Sequence, residues 1–413
     1  MKHKLVNLTA LATIQISNAV LPLVIFPFAL GVIGSDLYAK VVLSEALSLF
    51  LLAIVLYSFE VDGVLQVVGL DPKVDAKKIS HIFSGITYLR LSLFICCAPI
   101  FILVALLIDK QMVVLALFWA LVPLSYAIQP NWLYQGLERN TPVAIITVLS
   151  RICILFVVLN ALAGPTDYLV VPIAIGGFYL LGSICSLLYA MHQFGIRFVS
   201  VSATQLRQML WSGKDVFLGN LSVTLYRDVN VIILSAMGSL GAGIAAYSMA
   251  EKLVKAIQAS IRPLNQLFFP RAIRVARAAG SPGRPVFHAL LKLTLPQLAV
   301  LAVLVLVLVL GYITIGTNIT WVQRIENADY VASLVLLMSA GTFFGVSNFM
   351  FGSAGLNALG ERRYLFFAIL STGLISLAIS TLLVSVAGPL GAAISFVLAE
   401  IILLAIIARR YFQ

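Results

Sequence analysis

Long apolar runs, broken at fairly regular intervals by short polar segments, dominate the chain. A helix that crosses a bilayer needs about 20 consecutive, mostly apolar residues. Runs of that kind occupy 8–30, 38–58, 83–108, 111–130, 142–162, 168–190, 213–236, 243–269, 288–315, 330–352, 364–386 and 389–408. The pattern predicts an all-α integral membrane protein of about twelve transmembrane helices. The first run, Leu8 to Leu30, is too long for the apolar core of a cleaved signal and reads as a signal-anchor and first span. No intervening segment is long enough to fold as a separate domain. The activity is therefore expected within the bilayer.

Composition sharpens this picture. Of 413 residues, 61% are hydrophobic and 10% charged, against about 45–50% and about 25% in soluble domains. The surplus apolar surface has to face lipid. The formal charge of +11 could suggest nucleic acid, but its distribution points to topology instead. With the N-terminus placed in the cytoplasm, seventeen Lys and Arg fall on inner segments, including Arg271, Arg274, Arg277 and Arg284. Three fall outside: Lys40, Lys110 and Arg324. This asymmetry is the positive-inside pattern and predicts both termini in the cytoplasm. Cys96, Cys97, Cys153 and Cys185 all lie in apolar runs and are expected as small core residues, with neither a disulfide framework nor a metal site.

A faint repeat divides the chain. Gly34-Ser35 ahead of Leu43-Ser44-Glu45-Ala46-Leu47 parallels Gly238-Ser239 ahead of Met249-Ala250-Glu251-Lys252-Leu253. Gly136-Leu137-Glu138-Arg139 parallels Gly360-Glu361-Arg362, and Ala163-Gly164-Pro165 parallels Ala387-Gly388-Pro389. The spacing predicts two six-helix lobes in the same orientation, residues 1–205 and 206–413, around a central cavity. Repeat interfaces of this kind hold the substrate in many transporters.

Several stretches resemble the polysaccharide-transporter branch of the multidrug/oligosaccharidyl-lipid/polysaccharide exporter superfamily, and O-antigen (Wzx-type) flippases in particular. Leu21-Pro22, Phe26-Pro27-Phe28 and Gly34 resemble that family's first helix. Trp132-Leu133-Tyr134-Gln135-Gly136-Leu137-Glu138-Arg139 resembles its most recognisable stretch. Gly219-Asn220-Leu221-Ser222, and Tyr247-Ser248-Met249-Ala250-Glu251-Lys252 followed by Phe269-Pro270-Arg271, resemble spans seven and eight. Gly31 departs from the pattern, standing where the family often has a basic residue. The resemblance implies a flippase that carries polyprenyl-diphosphate-linked oligosaccharide, specifically the undecaprenyl form, from the inner to the outer leaflet of the bacterial cytoplasmic membrane. Membrane lipid and other polysaccharide-assembly proteins are its implied partners, and nucleic acid is not.

Charges inside spans usually face a cavity or a partner. Span eight carries Ser248, Glu251, Lys252, Lys255 and Arg262 within about 100° of one another, a single polar stripe. Span seven carries Asn220, Thr224, Arg227 and Asp228 in a second stripe. Lys and Arg suit a diphosphate. Arg227, Lys252 and Lys255, with Arg90 and Arg151, are therefore the candidate cations of a substrate cavity. Glu45, Glu251 and Glu400 are the candidate coupling carboxylates, Glu45 and Glu251 at matching repeat positions. The alternative for each is structural: Glu251 and Lys255 stand one turn apart and can neutralise each other, and Arg227 has Asp228 beside it. Pro22 and Pro27 make the first helix a candidate moving part.

No catalytic constellation or glycine-rich phosphate loop is present in the sequence, so no enzyme activity, cofactor or metal is expected. A multidrug or cation exporter on the same scaffold is the first alternative, and a membrane polysaccharide polymerase or ligase the second. An exporter of cations would need a net acidic cavity, whereas the two stripes are net basic.

Overall fold

The computed structural model describes residues 2–238, 241–314 and 327–413, with residues 2–6 and 8 described by backbone alone. Ser239 of the repeat and Arg324, expected outside, lie outside the described residues, as do the side chains of Lys2 and Lys4. The described residues form helices and connecting turns, with no strand among them.

The helices are α1 (Lys2–Leu56), α2 (Phe59–Val67), α3 (Ala76–Ile108), α4 (Met112–Trp119), α5 (Leu121–Ile128), α6 (Asn131–Gly136), α7 (Thr141–Ala161), α8 (Val170–Phe194), α9 (Ala203–Arg227) and α10 (Asn230–Ala236). They continue with α11 (Ala242–Ala279), α12 (Arg284–Thr314), α13 (Ala328–Asn348), a π-helical stretch (Phe349–Leu356) and α14 (Arg362–Phe412). Among the described residues, eight helical stretches are long and apolar enough to cross a membrane, and α9 with α10 makes a ninth across a 54° bend.

Two of the eight divide at a glycine. Gly34 breaks the 55-residue α1 at φ 79° and ψ 166°. Gly388 breaks the 51-residue α14 at φ 54° and ψ −129°. Both lie in the positive-φ region that side chains with a Cβ rarely enter. Each break divides a rod too long for one crossing into two arms. Counting those arms, and α11, whose charges interrupt an otherwise spanning helix, is consistent with the twelve spans expected. The non-helical backbone in α1 lies at Gly34, and the helix runs on through Pro22 and Pro27, where the sequence suggested a weak point.

The chain forms two compact units. The first comprises Met1–Ile25 and Lys40–Leu221, the second Phe26–Ala39 and Ser222–Gln413. In the first unit Trp132 is 1% exposed and packs among Phe59, Phe83, Ile86 and Tyr134. A Cβ at Gly63 would lie 2.6 Å from its ring, so α2 can approach α6 only as glycine. Tyr134 donates its hydroxyl hydrogen to the Ser186 carbonyl at 2.7 Å. The Trp132–Arg139 stretch is thus a packing element joining α2, α3, α6 and α8. In the second unit the core gathers Tyr226, Leu290, Met350, Phe351, Leu403 and Tyr411.

The stretches around Gly136 and Gly360 end in similar turns. After α6 the Arg139 amide donates to the Tyr134 carbonyl, with Glu138 at φ 55° just before it. After the π-helical stretch the Glu361 amide donates to the Leu356 carbonyl, with Gly360 at φ 84° just before it. Both are the six-to-one closure of a helix C-terminus through a left-handed residue. The turns therefore match Glu138 with Gly360, two residues away from the sequence match of Gly136 with Gly360.

The cysteines depart from expectation. Cys96, Cys153 and Cys185 are exposed rather than in the core. They sit on helix faces beside exposed residues such as Ile95, Ile152 and Ile184. On membrane helices these faces are apolar because they meet lipid.

Candidate functional site

Arg227, Asp228, Glu251 and Lys255 of the second unit gather around the junction of α9 and α10. The chain turns there between Arg227 and Asn230, and the 54° bend places Asp228 at the corner. Lys255, on α11, donates to Asp228 Oδ1 at 2.8 Å and to Glu251 Oε1 at 2.8 Å. Glu251 is 7% exposed. One lysine thus sits between two carboxylates, one contributed by its own helix one turn back and one by the broken helix.

Lys252 faces differently. Its ammonium lies 3.5 Å from the centroid of the Phe26 ring, a cation–π contact. Phe26 also meets Tyr38 edge-on at 6.3 Å. The Phe26–Ala39 segment of α1 is thereby tied to the charged stripe of α11.

Arg227 does not pair with its neighbour Asp228. Successive helical residues point about 100° apart, so the guanidinium reaches α14 instead. Its Nε and Nη2 donate to Glu400 Oε1 at 3.1 and 2.7 Å. Asn348 Nδ2 donates to Glu400 Oε2 at 2.7 Å and to the Glu400 carbonyl at 3.0 Å. Glu400 is fully buried, and a buried carboxylate requires such partners. Arg227, Lys252, Lys255 and Arg262 together outnumber Asp228, Glu251 and Glu400 by one formal charge.

The two candidate cations of the first unit are held in separate places. Arg90 is 1% exposed and donates to Glu60 Oε1 at 2.8 Å. It also donates to the carbonyls of Tyr126 and Gln129 at the end of α5, at 3.3 and 3.4 Å, where a cation suits the helix dipole. That geometry makes Arg90 a bolt joining α2, α3 and α5. Arg151 donates through Nε and Nη2 to Asn18 Oδ1 at 3.2 and 2.8 Å, and its guanidinium lies 3.7 Å from the Tyr179 ring centroid. Its charge meets an amide oxygen and an aromatic face.

Glu45 is half-buried on the second arm of α1, in the first unit, and Glu251 and Glu400 lie in the second. Among the described residues no group of three His, Cys, Asp or Glu is placed to hold a metal ion.

Three residues that organise these charges were not among the sequence candidates. Glu60 stands just beyond the end of an apolar run. Asn18 and Asn348 are neutral amides inside runs, which a count of charges passes over. An amide in a span was the available signal, since it too needs a partner there.

An all-α, multi-pass membrane protein with a charged interior is the class this architecture defines. The chain belongs to the polysaccharide biosynthesis protein family, whose model matches residues 5–276. It is similar to a protein of Escherichia coli (strain K12) named "Putative O-antigen transporter", 25% identical over 272 residues that cover 64% of each chain. A Shigella dysenteriae protein of the same name is 22% identical over 270 residues, 64% of this chain and 66% of that one. The matched segment thus spans about two thirds of the length of these curated relatives.

The fold is that of solved membrane transporters. "Lipid II flippase MurJ, inward closed conformation" superposes with a TM-score of 0.66 at 14% identity, covering 99% of this chain and 88% of that one. An inward-facing multidrug resistance MATE family transporter of the MOP superfamily gives 0.63 at 15% identity, covering 97% and 96%.

Proposed function

We propose that this protein is a flippase for polyprenyl-diphosphate-linked oligosaccharide, an O-antigen or similar repeat unit carried on undecaprenyl diphosphate. It moves that lipid from the inner to the outer leaflet of the bacterial cytoplasmic membrane by alternating access. The observation that carries this reading is the charged stripe of α11. Lys252 and Lys255 stand there among Asp228 and Glu251, and with Arg227, Arg262 and Glu400 the cations outnumber the acids. A net cationic lining suits a diphosphate, which carries only acceptors. Membership of a polysaccharide biosynthesis family, relatives named as O-antigen transporters and a fold shared with a lipid II flippase support the same class of cargo.

In this reading the halves 1–205 and 206–413 act as lobes that rock about a central cavity, with both termini in the cytoplasm. The headgroup occupies the cavity and the polyprenyl tail stays in lipid. Lys252, Lys255 and Arg227 meet the headgroup. Arg151, with its aromatic and amide partners, is a further contact, while Arg90 holds the first unit together. Glu45 and Glu251 couple movement to an ion gradient. Glu400 fixes Arg227.

A cation exporter on the same fold is the second reading, favoured by the MATE likeness. The two part in proteoliposomes. Fluorescent farnesyl-diphosphate-linked sugar should exchange between leaflets, and a cationic dye such as ethidium should not be pumped. Dye transport without lipid exchange would select the exporter.

A further inference from the structure

The second unit contains a cavity of about 410 Å³, within the range of about 300–1,000 Å³ typical of small-molecule sites. Its polar wall is formed by Arg227 from α9, by Gln258, Arg262 and Asn265 from α11, and by Thr342 and Asn348 from α13. The three α11 residues recur at i, i+4 and i+7 and so share one helix face. Tyr226, Phe349, Leu403 and Ile407 form an aromatic and aliphatic wall.

Two features of the wall select the ligand. The first is its charge. Glu400 matches Arg227 at 2.7 Å, so Arg227 and Arg262 bring one net positive charge to the cavity. A single acidic group on a sugar would balance it. The second is its unsatisfied atoms. Oδ1 of Asn265, Oδ1 of Asn348 and Oγ1 of Thr342 are buried and accept no hydrogen bond from any described residue. For Asn348 the amide orientation is fixed, because Nδ2 is needed by Glu400, whose carboxylate and carbonyl oxygens cannot donate. Each such buried acceptor is costly unless a donor reaches it. Phosphate oxygens of an ionised diphosphate offer no donor. Sugar hydroxyls offer both a donor and an acceptor, and the apolar face of a pyranose suits Tyr226 and Phe349.

We infer that this cavity in the C-terminal unit is a sugar-binding pocket. It takes one or two residues of the oligosaccharide, neutral or bearing a single acidic group, and shares Arg227 with the charged residues that meet the diphosphate. The inference rests on the flippase reading and adds the subsite that reads the sugar. Amides of Gln258 and Asn265 and the Thr342 hydroxyl bond the ring hydroxyls. Arg262 supplies the charge for an acidic substituent. The aromatic wall excludes water from the opposite ring face.

The test uses the full-length protein in nanodiscs. Three probes are titrated: farnesyl diphosphate, and farnesyl diphosphate bearing N-acetylglucosamine or galactose. In the wild type at least one glycosylated probe should bind about ten-fold tighter than the bare diphosphate, a gain of about 1.4 kcal/mol. Asn265→Ala and Gln258→Ala should each lose most of that gain. Their affinity for bare farnesyl diphosphate should stay within about two-fold, which also reports that the variants are folded; Thr342→Val serves as a third variant if either fails that control. No gain in the wild type with either sugar, or a gain kept in the folded variants, overturns the pocket and leaves the flippase reading standing. A wild type that binds none of the three probes overturns both.

Discussion

Arg227 and Glu400 stand 173 residues apart and meet at 2.7 Å, the carboxylate fully buried and the guanidinium side chain one third exposed. The pair locks the bend after α9 onto α14, and Asn348 completes the carboxylate's shell from α13. Three helices of the second unit are thus joined through one side chain. Removing one partner of a buried pair leaves an uncompensated charge, at a cost of about 3–5 kcal/mol. Arg227→Met should therefore lower thermal stability in detergent clearly, and adding Glu400→Gln should restore most of the loss. Equal stability of wild type and the single variant would show that the pair contributes nothing to holding these helices.

The contact between Gly63 and the Trp132 ring leaves no room for a methyl group. Gly63→Ala should cost about 1–3 kcal/mol, the usual penalty of overpacking. It should lower both melting temperature and the amount of protein in the membrane. Trp132→Phe in the same chain should recover part of that loss. A Gly63→Ala protein as stable as wild type would mean that α2 and α6 are not in close contact.

The charge asymmetry predicts both termini and the turn before α12 inside, and Gly164, between α7 and α8, outside. In a cysteine-free background, Gly164→Cys should react with a membrane-impermeant maleimide added to intact cells, and Ser281→Cys only after permeabilisation. Reversed labelling would invert the proposed direction of transport.

Glu45 is a half-buried carboxylate on the second arm of α1, about three turns beyond the Gly34 break. Glu45→Gln keeps the size and removes the titration. Lipid exchange in proteoliposomes with an imposed pH gradient should respond in the wild type and lose that response in the variant. An unchanged response would assign coupling elsewhere, with Glu251 next.

The helices were largely legible in the sequence because lipid demands one property over about twenty residues at a time, and hydropathy reports it directly. Glu251 and Lys255 were legible for a similar reason, since one helical turn fixes their proximity. Arg227 with Glu400 and Lys255 with Asp228 were not, because the pairing is set by how α9, α11 and α14 pack, and nothing local to Arg227 encodes it. Asn18 and Asn348 escaped because a charge count ignores amides, although in a span they too need partners. Trp132–Arg139 was legible as a family resemblance, while its physical role, filling the space over Gly63, appears only in the packing.

The central claim is that the net cationic interior of the second unit moves an anionic lipid-linked sugar. The most direct measurement is the rate of leaflet exchange of farnesyl-diphosphate-linked N-acetylglucosamine in proteoliposomes holding equal amounts of wild type, Lys255→Ala, Lys255→Arg and Lys252→Ala. The alanine variants should each slow exchange by about ten-fold or more, and Lys255→Arg should retain a larger share of the wild-type rate. Wild-type rates in both alanine variants would contradict the account.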